Sequence, residues 1–329
     1  MAATARTFTG TPKNLAFLAR RLKAGEIVAV PTETVYGLAG DATSSAACRR
    51  IFAAKGRPTD DPLIVHIASI KDLDRVAVAN PEARKLAKAF WPGPLTLVLP
   101  KTGLVPDLAT AGLPSVAVRM PSHPLFRKLI RLAGVPLAAP SANPFGYVSP
   151  TSAAHVARNL GKRIRYILDG GSSSIGLEST ILDLRSPRKP VLLRPGAITK
   201  AELDRVLDRP VARPRKASSG ARVAPGQMAR HYSPRTRVVL HPGLTLEKAV
   251  RGPQNAAWLF IGRPGTLGRL PANVFWLDPL GDLKLAARRL FSTLRELDDG
   301  GFSSIHVERP SGGGIAEALL DRLVRAASR

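Results

Sequence analysis

Apolar positions along the chain fall into two patterns, one typical of helices and one typical of strands. Residues 13–24 carry four apolar side chains at intervals of three and four, which predicts an amphipathic helix ending at Gly25. The apolar run 27–32 follows and predicts a buried strand. Further helices are predicted at 43–54, 123–134, 152–161 and 200–207, with two short ones across 71–90, and further strands at 62–69, 94–100, 115–121, 136–140, 165–171, 179–186 and 191–196.

The order of these elements predicts an α/β protein with two domains. Several strands follow one another between residues 165 and 196, which favours a mixed sheet over a strictly parallel one. Residues 209–237 are rich in Pro, Gly, Ser and Arg and lack apolar periodicity, so they predict a long linker. Strands and helices alternate again beyond it. We therefore expect a first domain at 1–208, the linker at 209–237 and a small α/β domain at 238–329.

Charge and cysteine content narrow the classes of protein that fit this fold. The 329 residues carry a formal net charge of +25, which favours polyanionic partners, although basic residues spread over solvated faces would give the same number. Cys48 is the single cysteine, which excludes an internal disulfide framework and a cysteine-based zinc site. We find neither a membrane-spanning apolar run nor a secretory signal, so we expect a cytoplasmic protein without membrane contact.

Two common nucleotide-binding motifs are absent from the sequence. It contains no G-x-x-x-x-G-K-[ST] loop and no G-x-G-x-x-G after the first strand of either domain. A nucleotide site in this chain must therefore be built from other residues.

Lys55 and Arg57 flank Gly56 at the end of a predicted helix, outside its apolar stripe. Two cations in that position suit a triphosphate. The alternative is an ordinary helix end, with Gly56 as the cap and Lys55 facing the helix dipole.

Polar side chains also follow the predicted strands. The segment 31–34 (PTET) comes directly after a strand, where α/β proteins bind ligands, although a helix N-cap is an equal alternative. Alternation places Ser115, Ala117 and Arg119 on one face of a strand, a polar wall ending in a carboxylate clamp or in an arginine paired with a structural acid. His66 is either a ligand contact or a neutral core histidine.

Later segments offer three further candidate sites. Ser141 and Asn143 leave a strand, and Ser179 and Arg194 lie at strand edges. Ser149 before Pro150 predicts a helix N-cap, and a helix N-terminus also suits a phosphate.

Together these segments occur in the order seen in YrdC-like proteins. The linker and tail resemble the longer, two-domain form of the L-threonylcarbamoyladenylate synthases. The resemblance covers nearly the whole chain and is carried by GEIVAVPTETVYGLAGDA, KGRP…PLIVHIAS, FWPGPLTLVL, VAVRMPSHP, APSAN…SPT, GLESTILDL…LLRPGAIT and PGQMARHYSP.

The resemblance implies a twisted mixed sheet with a deep basic cavity and a small, Rossmann-like C-terminal domain. It implies that threonine is held by Thr34, His66, Arg119 and Ser179. It assigns ATP to Lys55, Arg57, Asp61, Ser115, Ser141, Asn143, Ser149, Arg194 and Tyr232, with Lys55 and Arg57 also catalytic and Mg²⁺ accompanying the triphosphate. Two positions depart from the pattern: Phe145 replaces a usual serine, and Asp61 is an acid that must contact Mg²⁺ or point away from phosphate.

The implied reaction joins L-threonine, bicarbonate and ATP into L-threonylcarbamoyl-AMP and pyrophosphate. The product would pass to a threonylcarbamoyl transferase that modifies tRNA, with tRNA as a further contact of this chain. Arg230, His231 and Tyr232 in the linker suggest a lid that excludes water from the product. The rival interpretations are a non-catalytic RNA-binding protein and a carbamoyl-transferring domain of metalloenzyme maturation, whose usual cysteines this chain lacks.

Overall fold

The computed structural model describes residues 4–214, 223–226, 231–265 and 270–328. Arg230 and the other residues at 215–222 and 227–230 of the predicted lid therefore lie outside the described residues. The strands are β1 (Arg6–Thr9), β2 (Val28–Val30), β3 (Gly37–Asp41), β4 (Ile64–His66), β5 (Leu95–Pro100), β6 (Ser115–Arg119), β7 (Leu137–Ala138), β8 (Tyr166–Asp169), β9 (Thr180–Asp183), β10 (Val191–Arg194), β11 (Arg237–His241), β12 (Ala257–Gly262), β13 (Val274–Asp278) and β14 (Ser304–Glu308). The helices are α1 (Pro12–Lys23), α2 (Ser45–Lys55), α3 (Leu73–Val76), α4 (Pro81–Phe90), α5 (Asp107–Thr110), α6 (Pro124–Ala133), α7 (Ala153–Leu160), α8 (Lys200–Leu207), α9 (Leu246–Arg251), α10 (Leu283–Asp299) and α11 (Ile315–Ala327), with a 3₁₀ turn at Ile70–Asp72.

Ten strands form one large mixed sheet. Their order is β1-β8-β2-β3-β7-β4-β6-β5-β9-β10. β4 and β6 are parallel, β5 and β6 are antiparallel, and β5 and β9 are parallel again. The predicted mixed sheet is confirmed, and the parallel register sets His66 directly beside Arg119.

Local sequence signals account for the helix ends next to the sheet. Ser44 caps α2 by accepting a hydrogen bond from the Ala47 amide, and Gly56 ends the helix in the left-handed conformation at φ 62°. The Gly56 cap predicted from the sequence is thus present. It turns the chain back toward the sheet just before Arg57.

The second domain is a separate four-stranded sheet. Its order is β11-β14-β12-β13, every pairing is parallel, and α10 and α11 cover one face. This is the small α/β domain that the sequence predicts. Its core also takes in Val35, Val148 and Leu177 from the first domain, so the two domains share one apolar interface.

Three expectations need correction. β1 and the glycine-containing β3 were not predicted. The helix predicted to open at Ser149 starts at Ala153, where the side chain of Ser152 accepts the amide of His155. The segment 31–34 begins no helix: the Thr32 hydroxyl accepts hydrogen bonds from the amides of Thr34 and Val35 and forms a turn into β3.

No helix in the described ranges is long and apolar enough to cross a membrane.

The start of the predicted linker packs against the first domain. Ala212 pairs with the edge strand β10 through two hydrogen bonds of 2.9 Å, and Val211 is buried in the main core. This part of the linker is therefore fixed to the edge of the large sheet by a single bridge between Ala212 and Val191.

Candidate active site

A cavity of about 50 Å³ lies over the ends of β4 and β6. Eight predicted site residues line it: Thr34, Arg57, His66, Arg119, Ser141, Ser179, Arg194 and Tyr232. The other five, Lys55, Asp61, Ser115, Asn143 and Ser149, are buried nearby but are not among the described residues of its lining. Three arginines in one lining make a basic cavity, as the resemblance implies.

Arg119 is held by three groups at the end of β6. Its guanidinium donates to the Thr34 hydroxyl at 2.9 Å and the Gly93 carbonyl at 3.2 Å, and its Nη2 lies 2.7 Å from Glu33 Oε1. Burial alone would raise the pKa of Glu33, but the charge and hydrogen bond of Arg119 bring it below its ordinary value. The structure therefore contains the arginine–acid pair that was the alternative for this strand, and a ligand carboxylate would have to share the guanidinium with Glu33.

His66 is buried beside Arg119 and is neutral. Burial, followed by the charge of Arg119, lowers its pKa to about 3. The imidazole packs against Phe126 at 5.3 Å, and its Nδ1 has no hydrogen-bond partner within the described chain. A buried polar atom without a hydrogen bond lowers stability by about 1–3 kcal/mol. The unpaired Nδ1 therefore favours the interpretation of His66 as a ligand contact over that of a core histidine.

Ser179 and Arg194 form a linked pair at the ends of β9 and β10. Arg194 Nε donates to the Ser179 carbonyl at 3.0 Å and Nη2 donates to the Ser179 hydroxyl at 3.2 Å. The hydroxyl also lies 2.7 Å from Thr96 Oγ1. Burial lowers the pKa of Arg194. The pair fixes a hydroxyl and a guanidinium side by side in the cavity lining. We call the part of the lining that comes from residues 32–194 of the first domain the wall.

Asp61 is the partner of Arg57. Their side chains approach to 3.0 Å, and Arg57 also donates to the carbonyls of Asp61 at 3.1 Å and Pro62 at 2.9 Å. Of the two alternatives for this acid, a contact with Mg²⁺ or an orientation away from phosphate, the ion pair fits the second. It holds the Arg57 side chain in one direction at the cavity edge.

Lys55 differs most from its predicted setting. Its side chain is fully buried, and its ammonium group donates to the carbonyls of Ser141 and Asn143. Burial, and then the charge of Arg57, lowers its pKa well below the ordinary value. The expectation that Lys55 lies outside the apolar stripe of its helix is therefore wrong, because Lys55 is buried on α2 like Ile51 and Phe52. Its ammonium group fixes the loop that carries Ser141.

Phe145, the other departure from the family pattern, lies against the same edge. Its ring is 6.0 Å from the Arg57 guanidinium and 6.1 Å from the His231 ring. Asn143 stabilises this loop by donating to the carbonyls of Pro144 at 2.8 Å and Tyr147 at 2.9 Å. The aromatic substitution therefore joins the loop to the linker.

Four linker residues, Pro225, Gly226, His231 and Tyr232, close one side of the cavity, and we call them the cover. The Tyr232 ring is fully buried at a φ of 61° and contacts the His231 ring at 4.1 Å. A Cβ on Gly226 would lie 2.9 Å from both Arg194 Nη1 and Tyr232 Oη. Gly226 also has a φ of 80°, a conformation that favours glycine, so another residue here would be strained and would displace the ends of these two side chains.

Sequence reasoning missed Glu178 and Arg322. Glu178 lines the cavity and accepts a hydrogen bond from the Ser149 hydroxyl. Its position directly before Ser179 in the sequence was the signal that could have identified Glu178 as a cavity residue. Arg322 reaches Glu178 from the second domain, 144 positions away along the chain, and nothing in the local sequence indicates that contact.

Two family models match the chain in succession. The Sua5/YciO/YrdC model, described as telomere recombination, covers residues 20–196, and the model described as the threonylcarbamoyl-AMP synthase C-terminal domain covers residues 198–328. The pair defines a class of proteins in which a YrdC-like domain precedes a second α/β domain.

Two relatives and one solved structure match more than nine-tenths of this chain. The chain is 44% identical to the threonylcarbamoyl-AMP synthase of Pyrococcus abyssi over 93% of this chain and 91% of the relative, and 40% identical to that of Bacillus subtilis over 95% and 92%. The crystal structure of P. abyssi Sua5 complexed with L-threonine superposes with a TM-score of 0.89 at 40% identity, covering 98% of each chain. The chain belongs to the threonylcarbamoyl-AMP synthase family.

Proposed function

We propose that the protein condenses L-threonine, bicarbonate and ATP into L-threonylcarbamoyl-AMP and pyrophosphate. The observation that carries the proposal is the cavity, which Arg57, Arg119 and Arg194 line together with the neutral His66 in a chain of this family. Bicarbonate and the amine of threonine give a carbamate and water. A carbamate oxygen then attacks the α-phosphorus, the bond to the β-phosphate oxygen breaks, and pyrophosphate leaves.

Positioning and charge neutralisation suffice for this chemistry. The attacking and leaving oxygens are both anionic, so cations that hold them together lower the barrier without a covalent enzyme intermediate. We assign the threonine to Thr34, His66, Arg119 and Ser179, which meet where β4 and β6 end. The solved relative with bound L-threonine supports a threonine subsite in this fold.

The nucleotide is assigned to the adjoining part of the same cavity, where Arg194 lies next to Ser179. Arg57, Ser141, Arg194 and Tyr232 line it directly. Lys55, Asp61, Asn143 and Ser149 hold these residues or their loops in place. Ser115 lies on the Arg119 face at the opposite end of β6, and its hydroxyl has no hydrogen-bond partner among the described residues, so it is retained as an ATP contact of the proposal.

Mg²⁺ is proposed to enter with the triphosphate, because it keeps several waters and usually takes phosphate oxygens as ligands. The described residues contain no group of three or more His, Cys, Asp or Glu side chains placed to hold a metal ion. When bound, the ion would neutralise charge on the leaving pyrophosphate.

The product and its consumer complete the proposal. Threonylcarbamoyl-AMP is a mixed anhydride, so it needs a transferase that delivers the threonylcarbamoyl group to tRNA. We propose a cytoplasmic site of action beside that transferase, with tRNA as a further contact for a chain of net charge +25.

Pyrophosphate release is the test. We expect release from ATP that requires both threonine and bicarbonate, with one threonylcarbamoyl-AMP formed for each pyrophosphate. A non-catalytic RNA-binding protein would release none, and its RNA affinity would fall steeply with salt.

A further inference from the structure

Helix α11 of the second domain inserts one arginine into the junction between the domains. Arg322 is fully buried, and its Nε lies 2.9 Å from Glu178 Oε2. The same guanidinium donates to the Pro195 carbonyl at 3.0 Å and the Glu178 carbonyl at 3.3 Å, and it lies 2.7 Å from Asp321. The planar guanidinium group of Arg322 therefore contacts several polar groups at once.

Two of the groups that Arg322 contacts belong to the cavity. The Glu178 side chain lines it, and the Tyr232 ring of the cover lies 5.4 Å from the Arg322 guanidinium. Pro195, the third contact, directly follows Arg194 of the wall. A single residue of the second domain therefore contacts the wall, the cover and the end of β10.

Domain docking is one role for a buried arginine at this junction, and Arg295 on α10 has that role through the carbonyls of Val148 and Ser149. Taking a guanidinium out of water is unfavourable, and an apolar side chain of similar volume often stabilises an interface at least as well. Other polar contacts that α10 and α11 make across the junction involve residues outside the cavity lining. Arg213 with Glu317 and Arg158 with Asp299 are partly exposed, whereas Arg295, with the Val148 carbonyl, and Asp298, with Tyr147, are buried. Arg322 differs from them because its partners are cavity residues.

We propose that Arg322 is a positioning residue for the reaction. It fixes the Glu178 carboxylate and the Tyr232 ring relative to each other, so that the second domain completes the nucleotide side of the site. The proposal rests on the proposed function, since it concerns the ATP subsite of that reaction.

The test compares Arg322→Gln and Arg322→Lys with Glu317→Gln in the full-length chain. Glu317→Gln removes an ion pair from the same helix without touching the cavity, so it is the matched control. We expect Arg322→Gln to lower kcat/KM for ATP about 100-fold, as a misplacement of about 1 Å does elsewhere. Arg322→Lys should recover part of that loss because it keeps the charge, and Glu317→Gln should stay within about twofold of the parent chain.

A double-mutant cycle with Tyr232→Ala distinguishes a positioning role of Arg322 from a purely structural one. If Arg322 acts through the Tyr232 ring, the double variant is hardly worse than the worse single variant. Additive losses, or an unchanged kcat/KM for ATP in a folded Arg322→Gln, would overturn the proposal. If Arg322→Gln fails to fold, the cycle is run with Arg322→Lys, where the same additivity decides. A parent chain that releases no threonine-dependent pyrophosphate would instead refute the proposed function.

Discussion

The wall and the cover of the cavity are built in different ways. The wall residues Arg119 and His66 are register partners on parallel strands of one sheet, so the strand pairing itself brings them together. The cover is held by contacts that cross the domain junction, including those of Tyr232 with Phe291 at 5.6 Å and with Arg322 at 5.4 Å. This difference supports the proposal that the threonine subsite lies within the first domain and that the nucleotide subsite needs both domains.

Arg119→Ala should have the largest effect of the substitutions in the wall. The substitution leaves a ligand carboxylate and Glu33 without their cation. Removing one partner of a buried charge pair costs about 2–5 kcal/mol of binding free energy. We expect kcat/KM for threonine to fall accordingly, with ATP affinity by calorimetry much less affected. Arg119→Lys, which keeps the charge but loses the fork, should remain impaired. If Arg119→Ala and Arg322→Gln affect the same substrate equally, the division between wall and cover is wrong.

Lys55→Met should act mainly on stability and on the loop that carries Ser141. The substitution keeps the volume but leaves two buried carbonyls without their donor, a loss of about 2 kcal/mol in the free energy of unfolding. Urea unfolding measures it, with Lys23→Met at an exposed position on α1 as the control. Unchanged stability together with a raised KM for ATP would show that Lys55 faces the nucleotide after all.

The last prediction is a pH dependence of stability that comes from His66. Its folded-state pKa of about 3 lies below the ordinary value of 6.5, so below that value the unfolded chain takes up a proton that the folded chain does not. Stability should therefore fall as pH drops from about 6.5 toward 3, and His66→Gln should remove this part of the slope. The measurement is the urea midpoint of both chains from pH 7 to pH 4. Parallel curves would mean that His66 is solvated and charged.

The wall was largely predictable from the sequence because it depends on local patterns. Strand alternation placed Ser115, Ala117 and Arg119 on one face, and Gly56 marked the helix end beside Arg57. β3 was missed because its glycines weaken the strand pattern, and only its pairing with β2 and β7 defines it.

The partners of the charged residues were not predictable, because they come from distant parts of the chain. Glu33 reaches Arg119 across 86 positions, and Lys55 turns inward only because the loop at 141–143 presents carbonyls to it. Ser149 reads as a helix cap by itself, but Ser152 caps the helix and Glu178 takes the Ser149 hydroxyl. The sequence therefore indicates which residues gather in the cavity better than it indicates what each one contacts.

One measurement tests the central claim directly: the products formed from ATP labelled at the α-phosphate. The account predicts labelled threonylcarbamoyl-AMP and unlabelled pyrophosphate in equal amounts, and neither when threonine or bicarbonate is left out. Label that appears in AMP or ADP regardless of threonine, or no turnover at all, would contradict it.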